Sequence, residues 1–144
     1  MKPEQFAEEI WDRLQDMAIA YSAFAKKMGV DENEMYVVDA LWDQGEGLSQ
    51  RSICEKCDLG KQTVSAVCRR LVASGGVVAK PGTVDKRERI MTLTEQGRAA
   101  WRRPIERMRD LELQAAYAIS PEDADAFFRV VAEYEKALQS EVRR

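Results

Sequence analysis

Residues 48–78 read LSQRSICEKCDLGKQTVSAVCRRLVASGGVV, and this stretch decides the fold. Ser49 is a favourable N-cap for a short helix that extends to about Lys56. The sequence CDLG then forms a tight turn, and a second helix is predicted from about Lys61 to Ala73. The SGG that follows supplies glycines able to adopt the left-handed conformation that ends helices. Two helices joined by a turn of this length are typical of a helix-turn-helix unit.

The segment before this unit is helical. In residues 4–28 the apolar positions recur at spacings of 3 and 4, which predicts one amphipathic helix. Gly29 is a natural stop for it. A second helix is predicted from about Glu32 to Trp42.

The segment after the unit begins as strand, loop and strand, with Pro81-Gly82 as the break, and this pattern predicts a β-hairpin. A long helix from about Glu95 to Ala118 follows, in which Pro104 should force a kink or a new start. Ser120 caps the last helix. The fold class is therefore mainly α with a small β-hairpin.

Charge is distributed unevenly along the chain. The 144 residues carry a net charge of −3. Residues 49–89 nevertheless contain nine Lys and Arg against four acids, a balance of +5. The remaining residues therefore carry −8, most of it in residues 1–48 with four basic and eleven acidic side chains. A basic centre between acidic flanks is typical of a localised nucleic-acid footprint.

The helix predicted over Lys61–Ala73 has two different faces. Its apolar stripe recurs at i, i+3, i+4 and i+7 and consists of Val64, Val67, Cys68 and Leu71. The opposite face places short hydrogen-bonding groups near the helix start and cations near its end: Gln62, Ser65, Ala66 and Arg69, with Lys61, Thr63 and Arg70 at its margins. Solvated helix faces usually mix Glu with Lys, but residues 60–80 contain no acid. Such a surface suits the major groove of DNA.

The hairpin loop carries a charged run of its own, DKRER at residues 85–89. Three cations lie on a protruding loop that follows the helix Lys61–Ala73, the expected DNA-reading helix. They are Lys86, Arg87 and Arg89. They are therefore placed to reach a minor groove or its phosphates, where narrow A·T-rich grooves attract Arg. Asp85 would be costly beside phosphate unless paired. Its spacing suggests that it orients the guanidinium of Arg87.

The pieces KQTVSAVCRRL, the wing pattern Asp85-Lys86-Arg87, and LTEQGR at residues 93–98 together resemble the winged helix-turn-helix of the MarR family of bacterial transcription regulators. The resemblance covers about fifty residues closely, and the flanking helices match the layout over the whole chain. It implies a single domain over residues 1–144. Residues 31–94 would form the DNA-binding lobe, and residues 1–30 and 95–144 would form dimerisation helices.

The resemblance also implies site residues. Gln62, Thr63, Ser65 and Arg69 would contact double-stranded DNA at a pseudo-palindromic operator, with Arg87 in the minor groove. The full set of residues expected to contact DNA is Ser49, Gln50, Lys61, Gln62, Thr63, Ser65, Arg69, Arg70, Lys86, Arg87 and Arg89. Ala66 departs from the family pattern, because many members carry a longer polar or basic residue there. Sequence readout would then depend more on Gln62 and Arg69, or on DNA shape.

A homodimer is expected from both the resemblance and the apolar faces of the terminal helices. The two faces include Phe6 and Ile10 in the first helix and Phe127, Val131, Tyr134 and Leu138 in the last. Two such faces at the ends of one chain suggest packing between subunits. The alternative is that both simply cover the core of one subunit. A dimer would place its reading helices about one DNA turn, roughly 34 Å, or a multiple of it, apart.

The cysteines leave an alternative open. Cys54 and Cys57 have a C-x-x-C spacing that metal and thiol-redox sites use, and Cys68 could add a third thiol. All three are expected on buried helix stripes, where free Cys behaves as a small hydrophobe. The chain has no histidine, and peroxide-sensing members of the family carry their reactive cysteine in the first helix, where this chain has none. No metal and no cofactor is expected.

Effector binding is implied by the resemblance alone. Many family members release DNA when a small aromatic or anionic compound binds between the dimer helices and the reading lobe. The pocket candidates here are Trp11, Tyr21, Tyr36, Trp42 and Trp101, although aromatic residues at helical spacing more often belong to a core. A repressor released by such a ligand is the expected function.

Other classes of function fit the sequence less well. No nucleophile–base pair or phosphate loop can be assembled, and the absence of histidine removes the commonest general base, so an enzyme is not expected. A winged-helix module for protein contact would suit an acidic or apolar reading face, and this face is neither. No membrane-length apolar run or leader is evident, so we expect a cytoplasmic protein.

Overall fold

Residues 1–142, the part of the chain that the computed structural model describes, form six helices and three strands. In chain order these are α1 (Pro3–Met28), α2 (Glu32–Trp42), β1 (Leu48–Ser49), α3 (Gln50–Cys57), α4 (Lys61–Ala73), β2 (Val77–Pro81), β3 (Arg89–Leu93), α5 (Glu95–Ala116) and α6 (Pro121–Val142).

The strands form one antiparallel sheet in the order β1-β3-β2. The predicted hairpin is the β2–β3 pair, in which Val77 lies opposite Leu93 and Pro81 lies opposite Arg89. The short strand β1 was not predicted, and it pairs with β3 through Leu48 and Met91. The predicted fold class, mainly α with a small β wing, is confirmed.

The core lies where α2, α3 and α4 meet. Met35 and Leu41 of α2, Ile53 of α3 and Val64 of α4 are fully buried there. The predicted stripe of α4 is confirmed, because Val64, Val67, Cys68 and Leu71 are all at most 3% exposed. Burial of this stripe holds the reading helix against two neighbours and turns its other face outward.

Local capping explains the helix boundaries. Ser49 Oγ accepts a hydrogen bond from the backbone N–H of Ser52 at 3.1 Å, as predicted for the start of α3. Gly29 ends α1 with φ 69°, a left-handed conformation that glycine adopts without strain. Ser120 Oγ accepts from the N–H of Asp123 at 3.1 Å and caps α6.

A kink or a new start was predicted for helix α5 at Pro104. The helix does not restart there but runs from Glu95 to Ala116, two residues short of the predicted end. Pro104 lies buried inside it. Proline has no N–H to donate to the carbonyl of Ala100, so this turn lacks one hydrogen bond. Burial of Pro104 and of Ile105 beside it keeps the helix continuous despite that loss.

The chain divides into two compact units, Met1–Arg107 and a second that begins at Met108. The first unit holds α1 together with the helix-turn-helix and the sheet. The second includes α6, which contains no buried residue and leaves Phe127 and Phe128 more than half exposed. The assignment of residues 1–30 and 95–144 to dimerisation remains a prediction. Within residues 1–142, no helix is at once long and apolar enough to cross a membrane.

Candidate nucleic-acid interface

The outward face of α4 presents the polar residues expected for DNA reading. Lys61, Gln62 and Arg69 are exposed, while Thr63 and Ser65 are half-buried. Ala66 is also half-buried, so no long side chain projects between them. The face therefore combines a flat centre with an amide near the helix start and cations at both ends, which is a surface able to enter a major groove.

The wing consists of the hairpin β2–β3 and its loop at residues 82–88. It is ordered by short contacts at its tip. The N–H of Gly82 donates to the carbonyl of Glu88 at 2.9 Å, and the N–H of Glu88 donates to the carbonyl of Asp85 at 3.0 Å. The Asp85 carboxylate accepts from the backbone N–H of Arg87 at 2.9 Å. Asp85 thus acts on the main chain of Arg87, in an Asx turn. The expected contact with its guanidinium is not the one observed.

Lys86, Arg87 and Arg89 are all exposed on this wing. Within residues 1–142, neither these cations nor Lys61 and Arg69 of α4 take part in an ion pair. Their charge is consequently available to an external anion.

Lys80 is a further cation that motif matching missed. It lies exposed in β2 opposite Ile90, at the base of the wing, and has no ion-pair partner in the described part of the chain. The only sequence signal for it was the basic balance of residues 49–89.

Two members of the expected DNA-contacting set are already engaged within the protein. Ser49 is 7% exposed, and its hydroxyl caps α3 and lies 3.0 Å from Ser52 Oγ. Arg70 Nε lies 2.6 Å from Glu34 Oε1, and its Nη2 lies 3.6 Å from Asp31 Oδ1. The hydrogen bond to Glu34 is the main reason that the pKa of Arg70 is raised. Gln50, the first residue of α3, is half-buried.

Cys54 and Cys57 of α3 lie near Cys68 of α4. Only Cys68 is fully buried, so the expectation of burial was wrong for Cys54 and Cys57. Burial raises the pKa of Cys68 to about 11 and also raises that of Cys57, whose thiol donates to the carbonyl of Tyr36. A raised pKa lowers the thiolate fraction that redox chemistry and metals require. No group of three or more His, Cys, Asp or Glu in residues 1–142 is arranged to hold a metal ion.

The aromatic candidates for a ligand pocket occupy several different surroundings. Tyr36 donates its hydroxyl proton to Glu32 at 2.7 Å, and Tyr21 of α1 is half-buried. Burial, followed by the bond to Glu32, raises the pKa of Tyr36. Trp42 is covered by the guanidinium of Arg98, 5.4 Å from its ring centroid.

The other two candidates differ from these. Trp11 is 63% exposed, and Trp101 is half-buried. A surface hollow of about 380 Å³ includes Tyr36 alone of the five, together with Asp39, Ala40, Lys56 and Cys57.

The expected dimer residues are incompletely covered in the single chain. Phe6 and Ile10 of α1 are half-buried, as are Val131 and Tyr134 of α6. Leu138 and Phe127 are more than half exposed. Further along α1, Leu14 and Met17 of the same stripe are about half exposed. Each helix therefore retains apolar surface that could be buried in a second copy.

Comparison with known proteins agrees with this geometry. A MarR family model matches residues 28–88, which include α2, the helix-turn-helix, β2 and most of the wing. Over these residues the chain is similar to the MarR family. The match spans the reading helix and the wing cations Lys86 and Arg87, so the sequence resemblance to the MarR family is confirmed where it was most specific.

One curated relative is the HTH-type transcriptional regulator PetP of Rhodobacter capsulatus. It is 34% identical over 87 residues, which are 60% of this chain and 52% of PetP. The chain therefore matches about half the length of this relative.

Two solved structures share the fold over almost the whole chain. NMB1585, a MarR family regulator from Neisseria meningitidis, superposes with a TM-score of 0.78, 21% identity and 94% coverage of each chain. MepR from S. aureus, solved as a complex with DNA, superposes with a TM-score of 0.73 and 15% identity, covering 92% of this chain and 97% of MepR. At these identities the likeness concerns the fold.

Proposed function

We propose that this protein is a MarR family transcription regulator that binds double-stranded DNA as a homodimer. In the complex α4 enters the major groove and the wing enters an adjacent minor groove. The observation that supports this best is the set of exposed, unpaired cations on α4 and the wing, Lys61, Arg69, Lys86, Arg87 and Arg89. Charges on one exposed face without internal partners suit a polyanion. MepR, which has the same fold, was solved with DNA bound.

The proposed division of roles follows from side-chain chemistry. Gln62 is exposed near the N-terminus of α4, and its amide can both donate to and accept from a base edge. Arg87 stands on an ordered wing, where a guanidinium suits a narrow minor groove. Ser49 and Arg70 are left out of the proposed contact set, because both side chains already bond to other residues of the protein.

The dimer is proposed to form through the apolar faces of α1 and α6. Exposed Phe127 and Leu138 on a helix without any buried residue provide the support within the chain. We further propose that the protein is a repressor released by a small aromatic or anionic compound. The hollow beside Tyr36 and Lys56 offers a ring to stack on and an amine to attract an anion.

Selection of bound duplexes from a random library, under reducing conditions, tests the function. An inverted repeat with half-sites about one helical turn, roughly 34 Å, apart is expected. On that operator, Arg87→Ala should weaken binding. It should also make the salt dependence shallower, reducing the magnitude of the negative slope of log K against log salt by about 0.9 per protomer. Gln62→Ala should change the preferred half-site instead. An intact dimer that selects no sequence, even at low salt, would contradict the proposal.

A further inference from the structure

Arg69 and Arg70 are adjacent on α4, but the structure treats them differently. Arg69 is exposed and has no ion pair among residues 1–142. The guanidinium of Arg70 lies between two carboxylates of α2, 2.6 Å from Glu34 and 3.6 Å from Asp31. One cation between two anions leaves a local charge of −1. A DNA phosphate approaching Arg70 would meet this net negative charge.

We propose that Arg70 serves DNA binding as a positioning residue, which fixes the orientation of the reading helix through its ion pair with Glu34 and makes no contact with DNA itself. This rests on the proposed DNA-binding function. The pair joins α4 to α2 across 36 residues of chain. Rotation of α4 about its axis would carry Gln62 away from the base edges, and the bond to Glu34 opposes that rotation.

The anchor on α2 is itself held in place. Asp31 caps α2 by accepting from the N–H of Glu34 at 2.9 Å, which fixes the turn that carries both carboxylates. Within the same turn, Glu32 accepts from Ser22 Oγ of α1 at 2.8 Å and from the Tyr36 hydroxyl at 2.7 Å. Arg70 is therefore tied to a turn that is fixed from both α1 and α2.

Glu34 is the less exposed partner of the pair, with 21% of its side chain accessible compared with 52% for Arg70. Loss of Arg70 would leave this carboxylate half-sheltered and without its cation. The end of α4 is then expected to be held less firmly against α2, because the charge-assisted hydrogen bond that joins the two helices is gone. A positioning role and a phosphate contact predict opposite results for Glu34, which makes the two separable.

The test measures affinity for the selected operator and for a random duplex over a range of salt, with Arg70→Ala and the matched control Arg69→Ala. We expect Arg69→Ala to lower the salt slope by about 0.9 per protomer. We expect Arg70→Ala to weaken operator binding by about two- to tenfold with the slope unchanged. It should also reduce the ratio of operator to random affinity, because misorientation affects base readout more than phosphate contact.

Glu34→Ala gives the sharper discrimination. In a positioning role, Glu34→Ala weakens operator binding as Arg70→Ala does, and the double variant is no weaker than either single one. The reversed pair, Arg70→Glu with Glu34→Arg, should recover part of the loss. If Arg70 contacts phosphate, removal of Glu34 instead strengthens binding, and Arg70→Ala lowers the slope.

Stronger operator binding by Glu34→Ala, or a smaller salt slope for Arg70→Ala, would overturn the positioning role and leave the proposed function intact. Failure of the wild-type protein to bind any duplex would overturn both. Thermal unfolding of each variant shows that it is folded at the assay temperature.

Discussion

The junction between α4 and α5 contains a backbone contact whose removal we expect to affect both stability and DNA binding. Gly97, in the first turns of α5, lies buried against Gly76, just after α4. A Cβ added at Gly97 would stand 2.8 Å from the carbonyl carbon of Gly76 and 2.9 Å from its Cα, and nearer still to its oxygen. Gly97→Ala should therefore separate the end of the reading helix from α5.

Hydrogen bonds close the same junction and limit how far it can yield. Thr94 Oγ1 donates to the carbonyl of Gly75 at 2.6 Å and accepts from the N–H of Gly97 at 2.9 Å. Gln96 Nε2 donates to the carbonyl of Ser74 at 3.1 Å. A methyl group at Gly97 would meet main-chain atoms held by these bonds, which cannot rotate away as a flexible side chain would.

The magnitude follows from these distances. Non-bonded carbon atoms prefer separations of about 3.5–4.0 Å, so the two backbones must part by roughly 0.6–1.2 Å. Because the clash is with main-chain atoms, overpacking should cost about 2–3 kcal/mol, the upper part of its usual range, and the better helix propensity of Ala returns about 1 kcal/mol. We expect a net loss of about 1–2 kcal/mol. For 144 residues at about 2.1 cal/mol/K each, that lowers Tm by roughly 3–7 °C.

Thermal unfolding followed by circular dichroism, at fixed protein concentration, measures this shift. Gly45→Ala is the matched control, because its Cβ would meet nothing within 4 Å and its φ is not positive. The control should leave Tm unchanged or slightly raised. Gly97→Ala should also weaken operator binding. A Gly97→Ala protein as stable as the Gly45→Ala control would refute the close packing of the junction.

Two further predictions concern the dimer and the buried thiol. Phe127→Asp, at a side chain 56% exposed on α6, should shift the protein toward monomer in sedimentation experiments. The control Val84→Asp, at the fully exposed wing tip, should leave the dimer unchanged. A dimeric Phe127→Asp protein would contradict the proposed dimer face. The pKa of the Cys68 thiol is about 11 in the folded state against an ordinary 9.0. Its contribution to the free energy of unfolding is therefore complete below pH 9. On the order of 2 kcal/mol of that free energy is lost as the pH rises toward 11. Urea unfolding at pH 8–11 should show this loss in the wild-type protein and less of it in Cys68→Ala, and equal losses in both would argue against the raised pKa.

The parts of the fold that local signals determine were predictable. The bounds of α2 and α4 agree with the prediction residue for residue, since a capping residue or glycine marks their ends and one apolar stripe marks their length. The stripe of Val64, Val67 and Leu71 is buried because only that face of α4 is apolar along its whole length.

Features that depend on distant pairing were not predictable. The strand β1 contains two residues, and it exists because β3 offers a free edge about forty residues later. The pair of Arg70 with Glu34 spans 36 residues, and nothing in the local pattern separates Arg70 from Arg69. Asp85 was expected to act on the guanidinium of Arg87, but an Asx turn to the backbone is closer at that spacing.

The contrast between the two neighbouring arginines shows why counting cations is not enough to locate a DNA surface. The balance of +5 in residues 49–89 includes Arg51, which pairs with Glu55, and Arg70, which pairs with Glu34. Subtracting these two internally compensated charges leaves seven exposed cations, and all of them except Lys56 of α3 lie on α4, β2 or the wing. The acidic turn of α2 then has two effects. It withdraws Arg70 from external anions and, through the same ion pair, holds α4 in the orientation that presents Gln62 and Arg69.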